Sequence, residues 1–237
     1  MRNTFTIAAR ELSHYFVSPL AYVAIFFFVF ISGFIFTLAI TTGQAQADMG
    51  PLFHSMVFVS LMLAPVLTMG LIAQETDSGS IEMLMTKPVT DTEVAVGKFL
   101  GAVAVYVMIL VVTLEFPIML SIWGNPDWGL IAAGYIGLLA TGIAFIAVGT
   151  FASSITNNQI AAWLTGTAIL LFFWLVGWLS YSSTSWITDV AGRLSIYENF
   201  GDFTRGIVDG KNVLFFLSMT GVFLFMSVRA LENRRTL

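Results

Sequence analysis

The chain has 237 residues, of which 57% are hydrophobic and only 10% charged, with a formal net charge of −4. A soluble domain of this size cannot hide that much apolar surface, and the sparse charge with no basic patch argues against nucleic acid as a partner. The absence of cysteine excludes disulfides, thiolate metal sites and thiol catalysis together.

Six apolar runs reach the roughly 20 residues needed to cross a hydrocarbon core about 30 Å thick. They are 20–41, 52–73, 99–122, 130–151, 160–180 and 212–228. The expected fold is therefore an all-α integral membrane protein, forming a single transmembrane domain over 1–237. No small-residue cleavage site follows a short apolar core, so the first span is expected to stay in the protein.

Residues 1–19 precede the first span. Phe5, Ala8, Ala9, Leu12, Tyr15 and Phe16 recur at helical spacing, with Arg2, Thr6, Arg10 and Ser13 opposite. This predicts an amphipathic helix lying on the membrane surface, bent into span one at Ser18-Pro19; the alternative is a simple extension of that span.

Between spans two and three lies a polar island, residues 74–98, carrying Glu75, Asp77, Glu82, Lys87, Asp91, Glu93 and Lys98. Asp77 or Ser78 can cap a short helix beginning at Gly79, and Lys87-Pro88 closes it. Ile81, Leu84 and Met85 fall on one face of that helix, with Glu82 and Thr86 away from them. Thr90-Asp91-Thr92-Glu93 fits a capping box, so a second helix starts there and runs into span three. The small apolar face suits docking into a partner's groove, or packing against this chain's own helices.

Glu115 is the one formal charge well inside a span, about 12 Å below the end marked by Trp123 at 1.5 Å per residue. A carboxyl there must face a pathway, pair with another group or stay protonated, and Pro117 should bend the helix and free a carbonyl nearby. Span four is rich in small residues, including Ala133, Gly137, Ala140, Thr141 and Ala144, which lets helices approach closely. A tight turn, 123–129, precedes it, and a brief polar link, 153–159, follows it.

After span five, Ile187, Val190, Ala191 and Leu194, then Phe200, Phe203 and Ile207, predict two short amphipathic helices in segment 181–211. They either lie on the surface or dip into the bilayer under protein cover. An even number of spans puts both termini on one side. That side holds Arg2, Arg10, Lys87, Lys98, Arg229, Arg234 and Arg235, seven of the ten basic residues, so the positive-inside rule makes it cytoplasmic.

Catalysis is not expected. The two Gly-Lys pairs, at Gly97-Lys98-Phe99 and Gly210-Lys211-Asn212, lack the following hydroxyl of a phosphate-binding loop. His14 and His54 fall at opposite faces and read as interfacial residues rather than a metal pair.

Five stretches, spread along the chain, carry a resemblance. GSIEMLMTKPVTDTEVAVGK, with Glu75 just before it, resembles the coupling-helix region of type-2 ABC exporter permeases. ARELSHYFVSPLAYV is similar to the elbow helix and start of span one in that family. GNPDWGLIAAGYIGLL, FASSITNNQIAA and LSIYENFGDFTRGIVD resemble its gliding-motility-type branch. The resemblance implies a non-catalytic half-transporter in a bacterial plasma membrane, paired with a second permease copy or paralogue. ATP and Mg would sit on a separate cytoplasmic ABC ATPase, with no cofactor on this chain. Glu75, Gly79, Ile81, Glu82, Leu84, Met85 and Pro88 would couple to that ATPase, the 153–159 link would add a smaller contact, and 181–211 would lid the exit. A companion membrane subunit with a large extracytoplasmic domain is also implied. The competing readings are an ion-driven transporter or channel, which expects more pairable charges at mid-membrane than Glu115 alone, and a membrane anchor for a cytoplasmic machine.

Overall fold

The computed structural model describes residues 2–41, 49–78, 89–124, 126–179 and 186–235. In chain order these form α1 (Arg2–Val17), α2 (Pro19–Thr41), α3 (Gly50–Thr68), α4 (Ala73–Asp77), α5 (Asp91–Thr113), α6 (Glu115–Trp123), α7 (Trp128–Ile155), α8 (Gln159–Leu179), α9 (Trp186–Leu194), α10 (Ile196–Gly201), a 3-10 turn (Phe203–Arg205) and α11 (Gly210–Arg235). No strand occurs among the described residues. Among the described residues, six helical units are long and apolar enough to cross a membrane: α2, α3 with α4, α5 with α6, α7, α8 and α11.

The bundle is built around α3 and α7, which are mostly buried, while α2, α8 and α11 show most of their surface. Helix α2 illustrates the outer layer. Only one stripe, Ala21, Ala24, Phe28, Ser32 and Phe36, is buried, and Phe26, Phe27, Phe30 and Phe34 point outward. That is the pattern of a helix apolar all round whose remaining face is left to lipid.

Glycines on α7 let side chains from its neighbours reach its backbone. An added Cβ would meet the Phe53 ring at Gly134, the Phe203 side chain at Gly137, the Tyr106 ring at Gly142 and Thr68 at Gly149. Tyr106 uses the space at Gly142 to join three spans. Its hydroxyl lies 3.0 Å from Ser60 Oγ on α3 and donates to the Leu138 carbonyl on α7 at 3.2 Å.

Among the described residues two spans are broken, and the break in span three has a local cause. Span three breaks at Leu114, between α5 and α6. The Thr113 carbonyl would normally accept from residue 117, but Pro117 has no N–H. The Tyr135 hydroxyl donates to that carbonyl instead, at 2.8 Å. Span two breaks at 69–72, between α3 and α4, just past Pro65 within α3.

The segment after α8 enters the bundle. Phe200 and Phe203 are fully buried against Gly137, nine residues into α7 and so about 13 Å along its axis. Ser195 Oγ caps α10 by accepting from Glu198 N, and the Asn199 amide donates to the Arg193 and Ser195 carbonyls. Gly206 closes the 3-10 turn at φ 81°, a left-handed conformation that favours glycine, with Leu130 of α7 against it.

One expectation needs correcting. The polar link after span four is shorter than 153–159, because α7 runs on to Ile155 with Ser153 and Ser154 fully buried inside it. Helix α1 also packs one stripe against the bundle. Ile7, Glu11 and Tyr15 are buried, whereas Phe5 and Phe16 are exposed. Helix α1 thus has a protein-facing stripe and a separate exposed apolar edge.

Candidate functional site

Both ends of the described sequence, α4 and the start of α5 meet at one end of the bundle, and a cluster of ion pairs forms there. Helix α1 crosses α5 at Gly97 and Gly101, spaced i, i+4. A Cβ at Gly97 would lie 2.8 Å from Ile7 Cβ, and one at Gly101 would lie 2.7 Å from Glu11 Cβ. The missing side chains bring the helices close enough for Glu11 to reach the residue between the glycines, Lys98. Gly101→Val should therefore push α1 off α5 and cost about 1–3 kcal/mol, read as a lowered thermal midpoint of the purified protein.

Lys98 Nζ is buried, with only 2% of its side chain exposed. It donates to Glu11 Oε1 at 2.9 Å and to Glu75 Oε1 at 2.8 Å. Arg10 stands beside both carboxylates, 3.4 Å from Glu11 and 3.8 Å from Glu75. The cluster joins three elements: α1 through Arg10 and Glu11, α4 through Glu75, and α5 through Lys98. A buried ammonium is tolerable only with such pairing.

Further bonds fix the same end. The Tyr15 hydroxyl donates to the Leu67 carbonyl near the end of α3. Burial pushes the Tyr15 phenol well above its ordinary pKa, and the Glu11 carboxylate adds to the effect, so the group remains a neutral donor. Ser153 Oγ accepts from Ile72 N and Ala73 N, both at 3.0 Å, and donates to the Met69 carbonyl at 3.1 Å, bridging the break between α3 and α4. Arg234, near the end of α11, donates to Thr76 Oγ1 at 3.1 Å and to the Thr156 carbonyl at 3.0 Å. The five-residue helix α4 is thus held by α5, α7 and α11 at once.

The capping box expected at the start of α5 is present. Glu93 N donates to Thr90 Oγ1 and Thr90 N to Glu93 Oε2, each at 3.2 Å.

Of the residues expected to couple to a partner, Glu75 is in the cluster. Gly79, Ile81, Glu82, Leu84, Met85 and Pro88 lie outside the described residues. Glu115 is elsewhere, 17 residues beyond Lys98 and so about 25 Å along the span. It opens α6 on an exposed face shared with Val111, Ile118 and Ile122. His14 borders the cluster, and His54 packs against the rings of Tyr197 and Phe200. The sequence reading missed Glu11, Ser153 and Arg234 as contacts. The spacing Gly97-Lys98-Phe99-Leu100-Gly101 was the one signal that a second helix comes close to Lys98.

Six apolar spans in one unit, with a charged assembly confined to one end, define an integral membrane protein. The model of the ABC-2 family transporter protein matches residues 6–234. The chain belongs to that family, which makes it a permease subunit of an ABC transporter and implies an ABC ATPase as its partner. Members are typically non-catalytic membrane subunits. A search of curated proteins finds no match.

Proposed function

We propose that this chain is one half of the membrane passage of an ATP-driven exporter of the gliding-motility-type branch. In this reading it lies in a bacterial inner membrane with both termini cytoplasmic. Helix α1 is the interfacial elbow, and residues 79–86 form a coupling helix that docks in the groove of the ATPase. ATP and Mg belong to that partner, and a second permease copy or paralogue completes the passage. A companion subunit with a large extracytoplasmic domain would accompany them.

The observation that carries this reading is the Glu11–Lys98–Glu75 cluster. The 79–88 segment is rooted in α4 at one end and in the start of α5 at the other. Glu75 and Lys98 tie these two roots together, and Glu11 ties both to α1. A push on the segment would therefore reach α1 and spans two and three together rather than dissipate in a loop. The test is co-purification from native membranes followed by an ATPase assay. Leu84→Glu, which puts a charge on the docking face, should release the ATPase or uncouple its activity. Failure of any ATPase to co-purify under mild extraction would overturn the reading.

Glu115 belongs to the passage in this account. A carboxylate is costly against lipid, so the exposed face that carries it should meet water, cargo or the other half of the passage. Glu115→Gln should lower transport while leaving assembly intact; wild-type transport in that variant would remove Glu115 from the pathway.

A further inference from the structure

Beneath α1 lies a cavity of about 420 Å³, bordered by the end of α3, the 69–72 break, α4, the base of α5 and the first residue of α8. That volume is within the range of small-molecule sites. Its walls are of two kinds. One side is apolar, with Leu20, Val66 and Leu71; the other is polar, with Arg10, His14, Glu75 and Gln159.

The formal charges bordering the space are Arg10 and Lys98 against Glu11 and Glu75, which sum to zero. A ligand with a net charge of either sign would bring in a charge that this neutral lining leaves uncompensated. A ligand carrying one charge of each sign would not. Lys98 is held by two short bonds and buried, whereas the Arg10 side chain is 52% exposed and stands 3.4–3.8 Å from its carboxylates. Arg10 is thus the cation able to turn toward a ligand anion, with His14 close by on the same helix. Glu11 and Glu75 already accept short bonds from an ammonium, and carboxylates reward a cation that donates hydrogen bonds over one that cannot.

The surroundings favour a lipid as the source of such a headgroup. Ser18 and Leu20, at the bend from α1 into α2, border the cavity. Immediately beside them Phe16, Val17, Tyr22 and Val23 are all exposed, 84% in the case of Val17. This apolar strip leads from the cavity rim up the outer face of α2, where acyl chains would run.

We propose that the cavity binds the headgroup of a zwitterionic phospholipid bearing a primary amine, with the amine at Glu75 and the phosphate at Arg10 and His14. The proposal rests on the interfacial placement of α1 but not on the docking of an ATPase, so Leu84→Glu can fail without touching it.

The test is native mass spectrometry of the full chain after incubation with vesicles of phosphatidylethanolamine, phosphatidylcholine and phosphatidylglycerol in equal parts. Phosphatidylethanolamine should be retained over each of the others by about tenfold, the ratio expected for one charge-assisted hydrogen bond. Arg10→Gln should reduce that retention to the level of the other lipids. Gln159→Trp, which fills the cavity from the α8 side without removing a charge, should do the same, and it decides the matter if Arg10→Gln fails to fold. Equal retention of the three lipids, preference for phosphatidylglycerol, or retention unchanged in Gln159→Trp would overturn the proposal. Free phosphoethanolamine competing as well as the intact lipid would identify a soluble zwitterion as the ligand and overturn the lipid assignment.

Discussion

Lys98→Met should be among the most damaging single changes in this protein, lowering its stability by about 3–5 kcal/mol, the usual cost of removing one partner from a buried ion pair. The substitution keeps the length and apolar stem of the side chain, so its effect is on charge. It removes the ammonium that Glu11 and Glu75 share and leaves the two carboxylates close together, with the half-exposed Arg10 beside them. Thermal unfolding of the purified protein measures the loss. A double variant sharpens the expectation. If the cost arises from stranded carboxylates, Lys98→Met combined with Glu11→Gln should recover a large part of it, because neutralising one acid removes the repulsion. Additive losses in the double variant would mean that Lys98 matters through packing alone. In the coupling scheme proposed above, the same variant should also lower ATP-dependent activity more than its loss of folded protein explains.

What could be read from the sequence follows from the range over which each signal acts. The six spans are visible because a membrane-length apolar run is a local property. So is the Thr90–Glu93 capping box, whose two bonds close within four residues. The break in span three was foreseeable from Pro117, because a missing N–H has a definite victim four residues earlier. The ion cluster was not foreseeable: Lys98 and Glu11 are 87 positions apart, and Glu11 sits on what looks like the polar part of an amphipathic helix. Its burial follows from the absence of side chains at Gly97 and Gly101, and an i, i+4 glycine pair does not say which helix it receives. The faces of the spans are equally silent, because lipid and protein interior both accept Phe and Leu. That is why α2 reads the same all round, though only one stripe of it packs.

Ser153 presents the opposite case, a residue that looked like part of a link and instead closes the break in span two. Ser153→Ala should cost about 2–4 kcal/mol, since it strands two buried backbone donors at roughly 1–3 kcal/mol each, less some local relaxation. A hydroxyl offers one donor and two acceptor sites, and all three are used here, toward Met69, Ile72 and Ala73. Ser154 is the natural control. It is as deeply buried, but its hydroxyl donates to the Phe151 carbonyl of its own helix at 2.7 Å, a bond that an alanine helix does without. Ser154→Ala should therefore leave the thermal midpoint within the error of about 0.5 kcal/mol typical of neutral substitutions. Hydrogen exchange should separate the two further, with the Ile72 and Ala73 amides accelerated in Ser153→Ala alone. Equal losses in both variants would show that the hydroxyl bridge is incidental to the break. An intact bridge matters because α4 carries Glu75 toward Lys98 and Thr76 toward Arg234, so the orientation of this short helix decides whether both contacts form. Loosening its N-terminus while leaving Lys98 in place should weaken the ties among α1, α5 and α11 without removing any charge.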